Sequence, residues 1–115
     1  MNRSIFSYLQ VAAKVATKGA PRDFYLGAVG IRSDGTLVFS CNLPSQLPTP
    51  AAHAEARLAR KLDQNSTVYV ARVLRNGDFA MSRPCVSCMS ALKAKHVKRI
   101  FYTIAPNEWG RIDLA

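Results

Sequence analysis

Two short motifs, and the distance between them, constrain the fold of this chain most. His53-Ala54-Glu55 lies in the first turn of one predicted helix, and Pro84-Cys85-Val86-Ser87-Cys88 opens another. The 32 positions from His53 to Cys85 leave room for a helix and a strand between the two motifs. At their spacing of three residues, Cys85 and Cys88 share a helix face, so both sulfurs can meet one metal ion. The motifs therefore predict two helix starts, with a strand between them in sequence, around a shared metal site.

Hydrophobic periodicity and turn residues predict three helices and five strands along the chain. The first helix runs from Ser4 to about Lys18, with Ser4 as its N-cap and Gly19 before Pro21 as its stop. Ser33-Asp34-Gly35 is a hairpin turn signal between the first two strands. The other predicted elements are strands from Phe24 to Ile31 and from Thr36 to Cys41, a helix from Pro50 to about Asp63, a strand from Thr67 to Leu74 closed by the turn Asn76-Gly77-Asp78, a helix from Pro84 to about His96, and a strand from Arg99 to Ile104.

The residues after Ile104 decide how the predicted sheet closes. Only eleven remain, whereas a crossover helix followed by a parallel strand needs about a dozen or more. Pro106-Asn107-Glu108 is therefore predicted to turn the chain into a short antiparallel fifth strand. The resulting order, α-β-β-α-β-α-β-β, predicts an α/β fold: a three-layer α/β/α sandwich around a five-stranded mixed sheet, with residues 1–115 as one domain.

The composition is that of an ordinary folded domain. Hydrophobic residues make up 49% of the chain and charged residues 20%, which excludes the low-hydrophobicity profile of a disordered protein. No stretch approaches the roughly 20 apolar residues of a membrane span, and the N-terminus lacks the pattern of a signal peptide, so we expect a cytoplasmic protein without a membrane partner. Three cysteines are an odd number, which argues against a disulfide framework.

The charge balance leaves the partner open. Sixteen Lys and Arg against seven Asp and Glu give a formal charge of +9. Such a charge is compatible with a nucleic-acid partner, with attraction of phosphorylated small substrates, or with solubility alone. The one dense basic run consists of Lys93, Lys95, His96, Lys98 and Arg99.

The two motifs together predict a catalytic metal centre. One His and two Cys supply three zinc ligands and leave the fourth tetrahedral position for water, while a helix N-terminus favours negative charge on the sulfurs. Zinc brings the pKa of a bound water down toward 7. Glu55, two residues from His53, can reach that water without being a ligand and carry its proton to a leaving nitrogen. A lone Cys-x-x-C also suits redox chemistry or structural zinc, but the combination with His-x-Glu is the signature of zinc deaminases.

These motifs resemble the cytidine deaminase superfamily, and most closely its small free-nucleoside members. The similarity extends to Phe24-Tyr25-Leu26-Gly27-Ala28, to Asp34-Gly35 and to Cys41-Asn42. It thus spans residues 24 to about 104. In the small free-nucleoside members the final strands are short and antiparallel, in line with the closing hairpin predicted above.

The resemblance implies a role for individual residues. His53, Cys85 and Cys88 would hold zinc, and Glu55 would be the proton shuttle. The remaining implied contacts are with the substrate: Phe24 stacking beside the base, Asn42 on a sugar hydroxyl, and the backbone amide of Ala54 on the pyrimidine carbonyl.

Two positions depart from the free-nucleoside pattern. Pro44 stands where those enzymes have a ribose-binding glutamate, and Arg83 stands where they usually have serine. An arginine beside the pocket can meet a phosphate bidentately. Asn42-Leu43-Pro44 is also similar to the asparagine-proline loops of the deoxycytidylate and polynucleotide branches. The branch therefore stays open.

The function predicted from these residues is zinc-dependent hydrolytic deamination of a cytosine base in a free nucleoside or nucleotide, as in pyrimidine salvage. The alternative is deamination of single-stranded DNA or RNA, for which the basic run is the main support and the aromatic residues available for stacking are few. A zinc-stabilised binding module without turnover is a third reading, which the presence of Glu55 disfavours. The aromatic residues that could stack on nucleic-acid bases are Phe24, Tyr25, Tyr102 and Trp109.

The resemblance also implies a homo-oligomer, with a tetramer as the expected assembly.

Overall fold

The structure, a computed structural model, describes residues 4–16, 24–41 and 54–114. Within these ranges three helices and six strands follow one another along the chain. In order they are α1 Ile5–Ala16, β1 Phe24–Ile31, β2 Leu37–Cys41, α2 Ala54–Ala59, β3 Thr67–Leu74, β4 Phe79–Ala80, α3 Val86–Ala94, β5 Arg99–Ala105 and β6 Glu108–Asp113.

The strands of the described residues form a single mixed sheet in the order β2-β1-β3-β5-β6, with β4 paired to β3. Only β3 and β5 run parallel, and every other pair is antiparallel. The predicted antiparallel closure by the last strand is confirmed, with Asn107 in a left-handed conformation at φ 64° in the turn. The predicted count of five strands was one too low. The extra strand is β4, whose two residues are too few to produce a periodic pattern.

The sheet is covered on both faces, which confirms the three-layer arrangement. Successive side chains of a strand point to opposite faces, and β3 shows this directly. Val68 and Val70 lie in the core cluster that includes residues of α2 and α3, whereas Tyr69 and Ala71 lie in clusters with residues of α1. The parallel strand β3 is therefore buried from both sides, as its nearly continuous apolar sequence requires.

A glycine lets α1 lie close to β1. A Cβ atom built on Gly27 would collide with the carbonyl oxygen of Ala12 and would lie 2.6 Å from the backbone nitrogen of Ala16. At the start of the same helix, the Ser7 N–H donates to Ser4 Oγ at 3.2 Å, so the predicted N-cap is confirmed. Residues 17–23 lie outside the described ranges, so the predicted end of this helix is not tested.

The two helices on the other face are shorter than the sequence predicts. Residues 50–53 lie outside the described ranges. At its other end α2 stops at Ala59 rather than near Asp63, because the chain tightens there into bonds spanning three residues, from Lys61 N to Leu58 O at 2.8 Å and from Leu62 N to Ala59 O at 3.3 Å. Helix α3 begins at Val86 rather than at Pro84, since Cys85 occupies the N-cap position in an extended conformation.

The turn after β3 explains how β4 arises. Gly77 adopts φ 94°, a conformation that side chains disfavour, and the Leu74 N–H donates to Asp78 O at 2.9 Å. The chain consequently folds back along β3, pairing Val73 with Phe79 and Arg72 with Ala80. Within the described ranges, no helix is long and apolar enough to cross a membrane.

Candidate functional site

The first turns of α2 and α3 emerge at the same end of the sheet. Helix α2 precedes β3 and α3 precedes β5, and these two strands are parallel neighbours. The two connections into the strands are tied together, because the Lys98 N–H donates to Ser66 O and the Asn65 N–H donates to His96 O, both at 2.9 Å. The opposite, N-terminal ends of both helices therefore face the carboxyl ends of β3 and β5, where open α/β sheets bind ligands.

Glu55 is the most unusual side chain at this end. It lies in the first turn of α2 and is only 3% exposed. Burial raises the pKa of its carboxyl above the ordinary value of 4.5. Among the described residues, no group forms a hydrogen bond with its Oε1. Since buried polar atoms are nearly always paired, a buried carboxyl oxygen without a partner among the described residues makes Glu55 a candidate for binding a ligand or taking part in a reaction.

Helix α3 supplies two sulfurs of different exposure. Cys85 is exposed at the N-cap, and Cys88 is fully buried one turn further along. Neither is in a disulfide, and the same holds for Cys41 on β2. Two cysteine sulfurs on one helix face, with a helix N-terminus that favours negative charge, are suitable donors for zinc.

The donor chemistry of this helix start thus fits the metal that the sequence predicts. The described residues alone include no group of three or more His, Cys, Asp or Glu side chains placed to hold an ion. The third predicted ligand, His53, lies outside the described ranges, and so does Asn42. Both assignments stay predictions.

The other predicted substrate contacts are placed in part. Ala54 is the first residue of α2, directly before Glu55, and is fully buried. Phe24 begins β1 opposite Leu74, but its side chain is outside what the structure describes.

Arg83 is exposed two residues before Cys85 and is held against a tyrosine. Its guanidinium carbon lies 5.8 Å from the centre of the Tyr102 ring, and its Nη1 lies 3.4 Å from the Tyr102 hydroxyl. Tyr102 is buried and packs over Gly110, where an added Cβ would come within 2.5 Å of the ring. The ring gives the guanidinium a defined position while leaving it accessible to an anion.

The sequence suggested Tyr102 only as a residue that could stack on nucleic-acid bases, and not as a partner of Arg83. Its position in an apolar strand is that of a core residue, and only the tertiary contact with Arg83 gives it a second role. As a stacking platform for nucleic acid it is unsuitable because it is buried. Trp109 is 41% exposed but already packs against Phe6, with ring centres 6.0 Å apart.

The basic run lies at the C-terminal end of α3, whereas the candidate site lies at its N-terminal end. Lys93, Lys95 and His96 are exposed at and beyond the C-terminal end of the helix. Cys85 at the other end is separated from Lys93 by about 12 Å along the helix axis, at 1.5 Å per residue. The last cation of the run, Arg99, pairs with Asp113 at 2.6 Å. The cluster therefore does not extend the candidate site into a groove for a polymer.

A comparison with protein families matches nearly the whole chain. Residues 3–104 match the family described as the cytidine and deoxycytidylate deaminase zinc-binding region. No match was found among curated protein sequences.

Solved structures show the same architecture. The cytidine deaminase of Burkholderia pseudomallei superposes with a TM-score of 0.70 at 15% identity, over 97% of this chain and 94% of that one. The enzyme of Mycobacterium leprae gives 0.60 at 20% identity, over 96% and 94% of the two chains. That of Mycobacterium tuberculosis gives 0.58 at 18%, over 91% and 90%. At these identities the likeness establishes the fold.

Proposed function

We propose, starting from the fact that this chain belongs to the cytidine and deoxycytidylate deaminase family, that it hydrolyses the amino group of a cytosine base in a free nucleoside or nucleotide. Water adds to the ring carbon that bears the amino group, a C–O bond forms, the C–N bond breaks, and ammonia leaves. The products are the corresponding uracil compound and ammonia. The observation that carries the proposal is the buried carboxyl of Glu55, whose Oε1 has no hydrogen-bond partner among the described residues, at the helix end that also faces the start of α3 with its two cysteines.

His53, Cys85 and Cys88 would hold the zinc ion that the family description implies. Zinc bound by such a set supplies Lewis-acid activation of a water molecule near neutral pH. The chain contributes the dry surroundings, since Cys88 and Ala54 are fully buried. In such surroundings each charge acts more strongly than it does in water.

Glu55 would move the proton. A carboxyl whose pKa is raised by burial is better matched to proton transfer near neutral pH than an exposed one. It accepts a proton from the attacking water and delivers it to the ring nitrogen next to the attacked carbon. It then carries the remaining proton of the added oxygen to the amino group, which leaves as ammonia while the carbonyl forms. Its Oε1, without a hydrogen-bond partner among the described residues, is available for both transfers.

We further propose that the substrate carries a phosphate. Arg83 is accessible, positively charged, held by Tyr102, and separated from Cys85 only by Pro84. A guanidinium in this position can bind a phosphate through two parallel hydrogen bonds. Phe24, Asn42 and the Ala54 amide would contact the base and sugar, as in the family that the chain resembles.

The test is mass spectrometry of the products after incubating zinc-loaded protein separately with cytidine, deoxycytidine, deoxycytidylate and a single-stranded oligonucleotide that contains cytosine. We expect conversion of the free species and none without Glu55, using Glu55→Ala as the control. Product in the oligonucleotide alone would establish the polymer activity instead. Turnover that survives in Glu55→Ala would refute the mechanism.

The phosphate is tested with Arg83→Ala. Loss of one charge-assisted contact of about 1.5–3 kcal/mol predicts a fall in kcat/KM for deoxycytidylate of about 10-fold to 100-fold. The value for deoxycytidine should be unchanged. Arg83→Lys keeps the charge but not the bidentate geometry, so its kcat/KM for deoxycytidylate should lie between those of the wild type and of Arg83→Ala. An equal effect on both substrates would show that Arg83 does not read the phosphate.

A further inference from the structure

A short segment separates the carboxyl ends of β3 and β5. These strands are paired only as far as Val70 and Tyr102. Since β1 occupies the other side of β3 along its whole length, β4 must lie on the side that β5 occupies earlier in the strand. The chain then continues to Ser82, whose N–H donates to Thr103 O at 2.8 Å. Residues 79–82 therefore fill the gap where the two parallel strands part.

Two buried hydroxyls fasten this segment. Ser82 is 4% exposed and Thr103 is fully buried. Ser82 Oγ accepts a hydrogen bond from the Thr103 N–H at 2.8 Å and lies 3.0 Å from Val70 O, to which it can donate. Thr103 Oγ1 donates to Ala80 O at 2.7 Å and accepts from the Arg72 N–H at 3.2 Å. The two oxygens are 2.9 Å apart, so the hydroxyls are in direct contact, and the single proton of the Thr103 hydroxyl can serve either Ala80 O or Ser82 Oγ.

The fastened point lies immediately before the candidate site. Ser82 is followed by Arg83, by the buried Pro84 and by Cys85, which starts α3. Proline fixes its own φ and restricts the residue before it, so little freedom remains between Ser82 and Cys85. A displacement of Ser82 would therefore also displace the guanidinium of Arg83 and the sulfur of Cys85.

We propose that Ser82 and Thr103 are positioning residues: their buried hydroxyl pair anchors the segment that places Cys85 for the metal and Arg83 for the substrate. This inference rests on the proposed function, because it concerns the same site. Directional bonds hold a metal ligand to a fraction of an ångström, whereas apolar packing alone specifies the backbone less closely. Two interlinked hydroxyls are therefore suited to this place.

The experiment compares two substitutions of one residue. Thr103→Val keeps the shape and removes the hydroxyl, whereas Thr103→Ser keeps the hydroxyl and removes a methyl group. Zinc affinity is measured by competition with a chelating dye, backbone mobility by amide hydrogen exchange in the Arg83–Cys88 segment, and stability by urea denaturation. Ser82→Ala is the second removal of a hydroxyl. Ser66→Ala is the matched control, because Ser66 is fully buried and hydrogen-bonded but precedes β3 at the opposite end of the strand.

We expect Thr103→Val and Ser82→Ala to weaken zinc binding about 10-fold, the lower end of the range for residues that support metal ligands, and to speed exchange in the segment. Thr103→Ser should stay within about twofold of the wild type in zinc affinity, because the hydroxyl network is kept. Ser66→Ala should lose stability with zinc affinity unchanged.

Wild-type zinc affinity in Thr103→Val and Ser82→Ala, with stability lowered as in Ser66→Ala, would overturn the inference and leave only a structural role. Equal losses of zinc affinity in Thr103→Val and Thr103→Ser would overturn it as well, because the hydroxyl would then be irrelevant. Failure of the wild-type chain to bind zinc is a different result, since it would refute the proposed function itself.

Discussion

Replacement of Glu55 by glutamine distinguishes the effect of this residue on the stability of the protein from its contribution to catalysis. The side chain is 3% exposed, and its Oε1 has no hydrogen-bond partner among the described residues. A buried polar atom left unpaired costs about 1–3 kcal/mol, and more when it is charged. Glutamine has nearly the same shape but carries no charge, so the substitution removes the ionic part of this cost while keeping a polar group.

For metal-free protein we expect Glu55→Gln to be more stable than the wild type by about 1–2 kcal/mol at pH 7, the part of the penalty due to charge. For a chain of this size that corresponds to an increase in Tm of roughly 3–10 °C. The sign follows from the raised pKa of Glu55. At pH values below 4.5 both side chains are neutral and the advantage disappears. It grows as the pH rises from 4.5 toward the raised pKa of the folded state and levels off above that pKa.

The assay is urea denaturation of both proteins from pH 4 to pH 8, with zinc-loaded turnover measured in parallel. Turnover should fall by about 100-fold to 10,000-fold, the usual contribution of a general acid–base group. Glu108→Gln is the control, because Glu108 is the other glutamate of the chain and is exposed on β6. It should change stability by no more than about 0.5 kcal/mol. A Glu55→Gln protein less stable than the wild type at pH 7 would refute the reasoning, since the carboxylate would then have a stabilising partner.

Three other substitutions test the fold and the metal site. Gly27→Ala should destabilise the protein by about 1–3 kcal/mol in urea, because the new methyl group collides with α1; an unchanged value would mean that α1 does not rest on this strand. Asp63 accepts hydrogen bonds from Ser66 and Ser33, which lower its pKa to about 2. Asp63→Asn should therefore lose stability at pH 7, with the gap to the wild type closing as the pH falls from about 4 through about 2; a gap independent of pH would contradict this. Zinc at 100 times its Kd should stabilise the wild type by about 2.7 kcal/mol, and Cys85→Ser, at an exposed position, should abolish the rise in Tm without unfolding the metal-free protein.

Local pattern was sufficient for much of the architecture. Strands β1 and β3 begin and end at the predicted residues, because each is a run of mostly apolar or β-branched residues, interrupted only by glycines in β1 and by Arg72 in β3. The hairpin of β5 and β6 was predicted with a turn at Pro106-Asn107-Glu108, and the two strands pair antiparallel across that turn. The chemistry predicted from the motifs was equally local, since the prediction of zinc and of a proton shuttle rests on residue type and spacing alone.

The remaining features depend on which strands become neighbours. The turn at Gly77 returns the chain along β3, but β4 has room to pair there only because β3 and β5 part after Val70 and Tyr102, which lie some thirty positions apart in sequence. The Ser82 and Thr103 hydroxyls pair only across that gap, and Arg83 reaches Tyr102 for the same reason. Nothing in the local sequence around Ser82, Thr103 or Tyr102 predicts these contacts.

By itself the sequence determined which residues are candidates for the reactive groups and most of the elements around them, because helix starts, strands and metal-ligand spacings are short-range patterns. Only the tertiary structure decided the environment of those groups. Glu55 has a raised pKa because α2 lies against the sheet and excludes water from the carboxyl. Burial results from contacts with segments that are distant in sequence, so it cannot be predicted from any short stretch of the chain.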